Sequence, residues 1–351
     1  MTHAVYEMRP INLRAASEAE YANLNALKNI MRREAIPEDP PWPCDEETRR
    51  FQGMPALKQD ASWAAWEVPQ ERMLALAQAD IFLTGDNARV VWLSIEVHPE
   101  ARRQGLAREM LRQLAQHARS QRRNLLMMEC HERSAGGRAF LERMGARQGL
   151  VEPINQLRLA DLDRDLIDRW LERRSDLWPE FDLGSWDLLY PKDRLQDLAD
   201  LLQRTANDQP RDTLEMEDVN YSPELMRQFE AKQRAGGDQR WTLCALHRAD
   251  GLLAGITEVF WNPNRPRLLW QGFTGVMPAF RNRGLGRWLK ASMLTRILRE
   301  RPEVQVIRAG NASSNEPMLK INRALGFKPL LVWATWQVEL ERVEQYLASR
   351  A

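Results

Sequence analysis

Leu268–Leu269–Trp270–Gln271–Gly272–Phe273–Thr274–Gly275–Val276 runs into Met277–Pro278–Ala279–Phe280 and then into Arg281–Asn282–Arg283–Gly284–Leu285–Gly286. The same arrangement stands earlier in the chain. There Val90–Val91–Trp92–Leu93–Ser94–Ile95–Glu96–Val97 meets His98–Pro99–Glu100–Ala101 and Arg102–Arg103–Gln104–Gly105–Leu106–Ala107. Both copies hold Val-x-Pro at one fixed distance before Arg-x-x-Gly-Leu-small, and a further arginine follows, Arg108 or Arg287. The apolar runs predict strands. Leu106, Met110, Leu111 and Leu114, like Leu285, Leu289, Met293 and Ile297, fall at helical spacing and predict helices after each turn. A glycine in such a turn lets backbone N–H groups converge, and the helix start adds free N–H groups and a positive dipole end. Phosphate fits there, with arginines to bond it. The recurrence predicts two phosphate-ligand modules.

Other phosphate loops fit less well. No Gly-Lys-Ser/Thr follows a glycine at P-loop spacing, and a dinucleotide loop needs its first glycine where Arg102 and Arg281 stand.

A length of 351 residues agrees with two domains, at the usual ~150 residues each. The 50 Lys and Arg against 49 Asp and Glu leave a formal net charge of +1, so no nucleic-acid or membrane footprint is indicated. No apolar run is long enough to span a bilayer, and a signal-peptide core is absent from the start. Cys44, Cys130 and Cys244 are few, odd and far apart, which points to a reduced, cytoplasmic setting.

Along the chain the pattern predicts an extended Met8–Arg14, a helix over Glu18–Met31 and a proline- and acid-rich loop over Ile36–Asp45. Strands follow at Ala61–Val68, Arg72–Ala79 and Val90–Val97, then the turn and its helix, a strand at Leu125–Cys130 and a helix over Gly137–Met144. Gln156–Leu159 closes the first module, residues 1–159, and Asp161–Arg174 reads as an amphipathic linker helix. The second module, 160–351, has helices over Pro191–Ala206 and Ser222–Ala235, then strands at Trp241–His247, Leu252–Phe260 and Leu268–Val276. After the second turn and helix come a strand at Val304–Arg308, a helix over Glu316–Leu325, a strand at Leu330–Val338 and a helix over Glu339–Ala348. The tryptophans of strand-like runs, Trp92, Trp270, Trp333 and Trp336, read mostly as core.

The pattern Arg-x-x-Gly-x-Gly/Ala after a Val-x-Pro strand resembles the acyl-CoA loop of the GNAT superfamily of N-acyltransferases. Asn315–Glu316–Pro317–Met318–Leu319–Lys320–Ile321–Asn322–Arg323–Ala324–Leu325–Gly326–Phe327 is similar to a helix of that family whose leading Asn contacts the CoA chain. With Trp241–Ala245, Gly255–Val259 and Leu289–Lys290, it resembles the catalytic half of tandem GNAT proteins, a group that includes mycothiol synthase. The resemblance implies an α/β (α+β) fold of two tandem modules, each a mixed, mostly antiparallel sheet flanked by helices. It also implies acetyl-CoA as acyl donor. Thr274, Gly275 and Val276, with Ile95, Glu96 and Val97 in the first module, would bond pantetheine amides through their backbone. Arg281, Asn282, Arg283, Gly284, Leu285, Gly286 and Arg287, with Arg102, Arg103, Gln104, Gly105, Leu106 and Ala107, would hold the pyrophosphate. Asn315 would meet the CoA chain or cap its helix. Family strands carry a bulge that opens a gap for pantetheine, and Gly275 suits a bulge.

Two family positions are occupied differently here. Where the family often has an acidic tyrosine stand Asn322 and Leu141, and its usual glutamate base falls near Trp270 and Val91. The candidate catalytic residues are therefore Glu258, a mid-strand carboxylate beside the cofactor strand, and Asn322. Tyr190 and Tyr221 are acids that other segments could contribute. Cys130 and His131 are strand neighbours on opposite faces and make no nucleophilic pair. No residue set has metal-ligand spacing. The expected activity is transfer of acetyl from acetyl-CoA to a small-molecule primary amine in a ternary complex, catalysed by the second module of a monomer or homodimer. A non-catalytic acyl-CoA sensor and a mycothiol-synthase-like thiol-precursor acetyltransferase are the alternatives.

Overall fold

The computed structural model describes residues 6–172 and 179–349, which form two compact units. The first unit runs to Val151 and takes in Arg211–Asp218 and everything from Leu331 onward; the second comprises Glu152–Pro210 and Val219–Leu330. Its strands are β1 (Tyr6–Pro10), β2 (Lys58–Glu67), β3 (Arg72–Phe82), β4 (Val90–Val97), β5 (Leu125–His131), β6 (Arg147–Arg158), β7 (Phe181–Asp187), β8 (Gln239–His247), β9 (Leu253–Trp261), β10 (Leu268–Val276), β11 (Val306–Gly310) and β12 (Lys328–Glu339). Its helices are α1 (Glu18–Ala35), α2 (Cys44–Gln52), α3 (Leu106–Ser120), α4 (Ala135–Arg143), α5 (Arg164–Glu172), α6 (Leu195–Thr205), α7 (Pro223–Ala235), α8 (Leu285–Glu300), α9 (Glu316–Ala324) and α10 (Leu340–Ala348).

The first unit orders its strands β1-β2-β3-β4-β5-β12 and the second β6-β11-β10-β9-β8-β7. All recorded pairings are antiparallel except β4 with β5 and β10 with β11. Each sheet is thus mixed and mostly antiparallel, as expected. The helical stripes read from spacing are buried in both post-turn helices; α3 is amphipathic, whereas α8 also buries Trp288, Lys290 and Ala291. Leu106, Met110, Leu111 and Leu114 of α3 are at most 2% exposed, and Leu285, Leu289, Met293 and Ile297 of α8 at most 1%. Burial of such a side chain is worth roughly 1.5–3 kcal/mol.

Two strands do not stay with the module that their sequence position suggests. From Glu152 on, β6 belongs to the second unit, where Arg158 through Ile154 pair with Val306 through Gly310. Conversely β12 pairs with β5, Trp333 opposite His131 through Glu339 opposite Leu125. The compact units therefore exchange strands across the expected 159/160 boundary. Alternation specifies which face of a strand is buried but not which strand lies beside it.

Other differences are local. Helix α1 runs four residues past Met31. Helix α2 was not expected because its buried face carries Glu46 and Glu47, paired to Arg50 and Arg32, rather than an apolar stripe. Strand β7 was missed as well, an edge strand whose residues after Phe181 are mostly exposed. The linker helix is α5, and Ile167 and Trp170 place it in the second unit's core; Arg173 and Arg174 lie outside the described residues. Of the four tryptophans only Trp336 is fully buried.

Candidate functional site

The two turns have the same backbone. After a short 3-10 turn, Arg102 and Arg281 are extended (φ −70°, ψ 157° and φ −66°, ψ 163°). Arg103 and Asn282 then take φ +65° and +63°, and Gly105 and Gly284 cap α3 and α8 at φ +87° and +89°. An L residue with a side chain pays for that left-handed geometry at the cap, and glycine does not. The sequence repeat is a repeat of conformation.

The arginines have other employment. Arg102 Nε donates to the Val97 carbonyl at 3.0 Å and its guanidinium pairs with Glu34; Arg281 Nε donates to the Val276 carbonyl at 3.0 Å and pairs with Asp208. The first arginine of each turn thus braces the end of its strand. Arg283 pairs with Glu180 and lies over the Phe181 ring, and Arg287 lies over Trp170. Gln104 donates to the Glu100 carbonyl at 3.0 Å, while Arg103 and Asn282 are exposed. Leu106 and Leu285 are core residues, so only their N–H groups face the turn.

Both sheets open beyond the turn. The parallel ladder of β4 with β5 covers Val90–Leu93 against Leu125–Met128 and stops, leaving Ile95 and Val97 past its end. That of β10 with β11 covers Leu268–Trp270 against Val306–Arg308 and stops, leaving Thr274, Gly275 and Val276 beyond it. The units differ on the other side. Against β9, β10 shifts register by one residue between Gln271 and Thr274, whereas the β3–β4 register is constant from Asp80–Trp92 to Ala75–Val97. The second unit alone has a bulge in this strand. It falls at Gly272–Phe273, while Gly275 stays paired with Ile256. A Cβ on Gly272 would come within 2.4 Å of the Phe260 ring, which is why glycine stands there. Gln271 secures the bulge by donating to the Glu258 carbonyl at 2.6 Å, and the Thr257 and Thr274 hydroxyls bond each other at 2.8 Å. In the first unit Glu96 is instead paired with Lys28 of α1 at 3.1 Å.

Glu258, 6% exposed, lies in a buried polar group. Its Oε1 accepts from Tyr190 Oη at 2.5 Å and Thr242 Oγ1 at 2.9 Å, and Arg240 Nε approaches at 3.7 Å. All these partners meet Oε1, and among the described residues none engages Oε2. Burial pushes the Glu258 carboxyl up, against the opposing pull of Arg240 and the two hydroxyls. Burial and the neighbouring carboxylate push the Tyr190 phenol well up. Arg240, 2% exposed, also bonds Glu230 at 3.1 Å and stacks 3.3 Å above the Tyr190 ring centroid. Tyr190 reaches the candidate base; Tyr221 is held by its backbone N–H to Gln203. Arg240 and Thr242 were not anticipated, since each is a polar residue on a largely apolar strand, and Glu230 sits among the many polar residues of α7, where nothing local marks its bond to Arg240.

Asn322, 2% exposed, accepts from Lys290 Nζ at 3.1 Å and donates to Asn311 Oδ1 at 2.7 Å. Asn315 caps α9 through Oδ1, which accepts from the Met318 N–H at 3.4 Å. In the first unit Cys130 is half-buried with its thiol pushed up by burial, which suits a packed cysteine rather than a nucleophile. Among the described residues no cluster of three His, Cys, Asp or Glu is arranged for a metal. No helix among them is long and apolar enough to cross a membrane.

Residues 24–146 match the model of the acetyltransferase (GNAT) family. No curated protein sequence matches the chain. Among solved structures, a tandem GNAT protein from the clavulanic acid biosynthesis pathway superposes with a TM-score of 0.77 at 23% identity, over 96% of this chain and 99% of its own. A GCN5-related N-acetyltransferase from Sphaerobacter thermophilus gives 0.66 at 14% identity, over 95% and 96%. A glucosamine N-acetyltransferase region of a fungal multi-domain β-N-acetylglucosaminidase gives 0.67 at 13%, over 96% of this chain and 38% of that one. At these identities the superpositions speak to the fold. The chain thus carries an acetyltransferase domain of the GNAT family at residues 24–146, and as a whole it has the tandem GNAT fold.

Proposed function

We propose that the protein transfers an acetyl group from acetyl-CoA to the primary amine of a small molecule, by direct attack in a ternary complex within the second unit. The bulge at Gly272–Phe273 carries this reading. It turns β10 where the parallel ladder with β11 ends, so Thr274 and the Val276 N–H lie past that ladder for an extended amide chain to bond, while Gly275 stays paired with Ile256 and the Val276 carbonyl takes Arg281 Nε. The twice-bent turn at Arg281–Gly286 then supplies N–H groups and a helix N-terminus for a pyrophosphate. The family match, residues 24–146, lies within the first unit, which has the turn and the opened ladder but no bulge. Its residues Ile95, Val97 and Arg102–Ala107 form a second cofactor cradle without the bulge.

In this reading the Val276 N–H polarises the thioester carbonyl. Glu258 takes the proton of the attacking amine through Oε2, the oxygen its neighbours leave unengaged, and burial raises its basicity for that task. Tyr190 and Thr242 hold the carboxylate in place. Asn322 cannot titrate, so the CoA thiolate leaves without a protein acid at that position; a thiol pKa near ~8.5 makes it a passable leaving group. Three free cysteines agree with a reduced, cytoplasmic setting.

The test is release of CoA from acetyl-CoA with a panel of amines including amino sugars. Turnover lost in Glu258→Gln with acetyl-CoA binding intact supports the reading. Binding without turnover on every amine would instead favour an acyl-CoA sensor, the alternative that the absent tyrosine motivates.

A further inference from the structure

A lysine is almost never fully buried unless paired, and Lys290 is 2% exposed with no carboxylate beside it among the described residues. Burial alone pulls its amine down to about 7. A methionine would fill this position of α8 without that desolvation, so packing does not account for an amine there. Its one described hydrogen bond does. As an ammonium, its form below about pH 7, Nζ only donates, so there Asn322 must turn Oδ1 toward it and Nδ2 away. Nδ2 then donates to Asn311 Oδ1, which fixes the second amide in the same sense. Asn311 follows β11 directly, at the open end of the gap between β10 and β11, and is half-buried. Among the described residues no acceptor takes its Nδ2.

We propose that Lys290, acting through Asn322, sets Asn311 as a hydrogen-bond donor to a carbonyl oxygen of the acyl-pantetheine chain in the second unit. This rests on the acyl-transfer reading and gives the amide at position 322 a task other than that of an acid. The chain of bonds is directional: reversing Asn322 would set its NH2 against Nζ and two oxygens against each other. Lys290 and Asn322 are positioning residues, and Asn311 is the one that meets ligand.

Acetyl-CoA is titrated calorimetrically into the full chain, Lys290→Met and Asn311→Asp, and each protein is also melted. Aspartate keeps the oxygen that Asn322 bonds and loses the N–H that would face ligand. Both variants should bind about tenfold more weakly, the effect of one lost hydrogen bond, while Lys290→Met melts at or above the wild-type temperature. Wild-type affinity in either variant overturns the inference and leaves the acyl-transfer reading standing. Weak binding by Lys290→Met accompanied by a lower melting temperature makes the lysine structural and overturns it too. If the unmodified chain binds no acetyl-CoA, the reading beneath the inference falls and the inference with it.

Discussion

Tyr190 Oη donates a 2.5 Å hydrogen bond to Glu258 Oε1, linking the segment ahead of α6 to the strand that flanks the bulge. The bond joins residues 68 positions apart and leaves the second carboxylate oxygen without a described partner. Replacing Glu258 with glutamine keeps an oxygen for Tyr190 and removes the base. We expect kcat to fall by about 10²–10⁴ with little change in acetyl-CoA affinity, read by steady-state kinetics beside calorimetry. An unchanged kcat would remove Glu258 from the mechanism.

Arg240 compensates two buried carboxylates, Glu230 and Glu258. Arg240→Met leaves Glu258 without its cation and Glu230 with Arg227 alone, and breaking a buried pair costs about 3–5 kcal/mol. Urea unfolding should show a loss on that scale. A loss below ~1 kcal/mol would mean that the group is solvated in solution.

These two residues illustrate what the sequence makes legible. Strands β4 and β10 and the helices after them follow from local spacing, and both strands begin and end where the pattern does. Glu258 stands out as a carboxylate inside an apolar strand. Tyr190 reads only as a residue that another segment could contribute, and Arg240 and Thr242 are not singled out, because their approach to Glu258 forms only in the fold. Likewise, the arginine of the turn reads as a phosphate ligand, but Arg281 spends its Nε on the Val276 carbonyl. The exchange of β6 and β12 is equally hidden, since an alternating strand fits any complementary edge. The bulge was expected near Gly275 and lies at Gly272–Phe273, where close approach of Phe260 requires the glycine.

Closing the bulge tests its role. Gly272→Val places side-chain atoms against Phe260, whose ring would lie 2.4 Å from a Cβ there. We expect this variant to lose most acetyl-CoA binding, with a destabilisation of about 1–3 kcal/mol from overpacking. Retained binding would show that the gap does not depend on the bulge.

Lys290 gives a pH signature in stability. Its folded-state pKa is depressed to about 7 from 10.5, so the unfolded chain binds more protons between these values. The cost of burying the ammonium is fully present below about pH 7 and is relieved as pH rises toward 10.5. Lys290→Met should therefore exceed the wild type in stability most at pH 6, with the margin shrinking by pH 10, in denaturant melts across that range. A margin independent of pH would contradict the depressed pKa.

The central claim is that the second unit holds the acyl donor. Native mass spectrometry of the chain with acetyl-CoA, repeated on Gly284→Asp and Gly105→Asp, tests it most directly. Both substitutions put a side chain and a negative charge at a left-handed helix cap (φ +89° and +87°). The account predicts that the tightest-bound acetyl-CoA disappears in Gly284→Asp and persists in Gly105→Asp. Loss of it in Gly105→Asp alone would contradict the account and move the chemistry to the first unit.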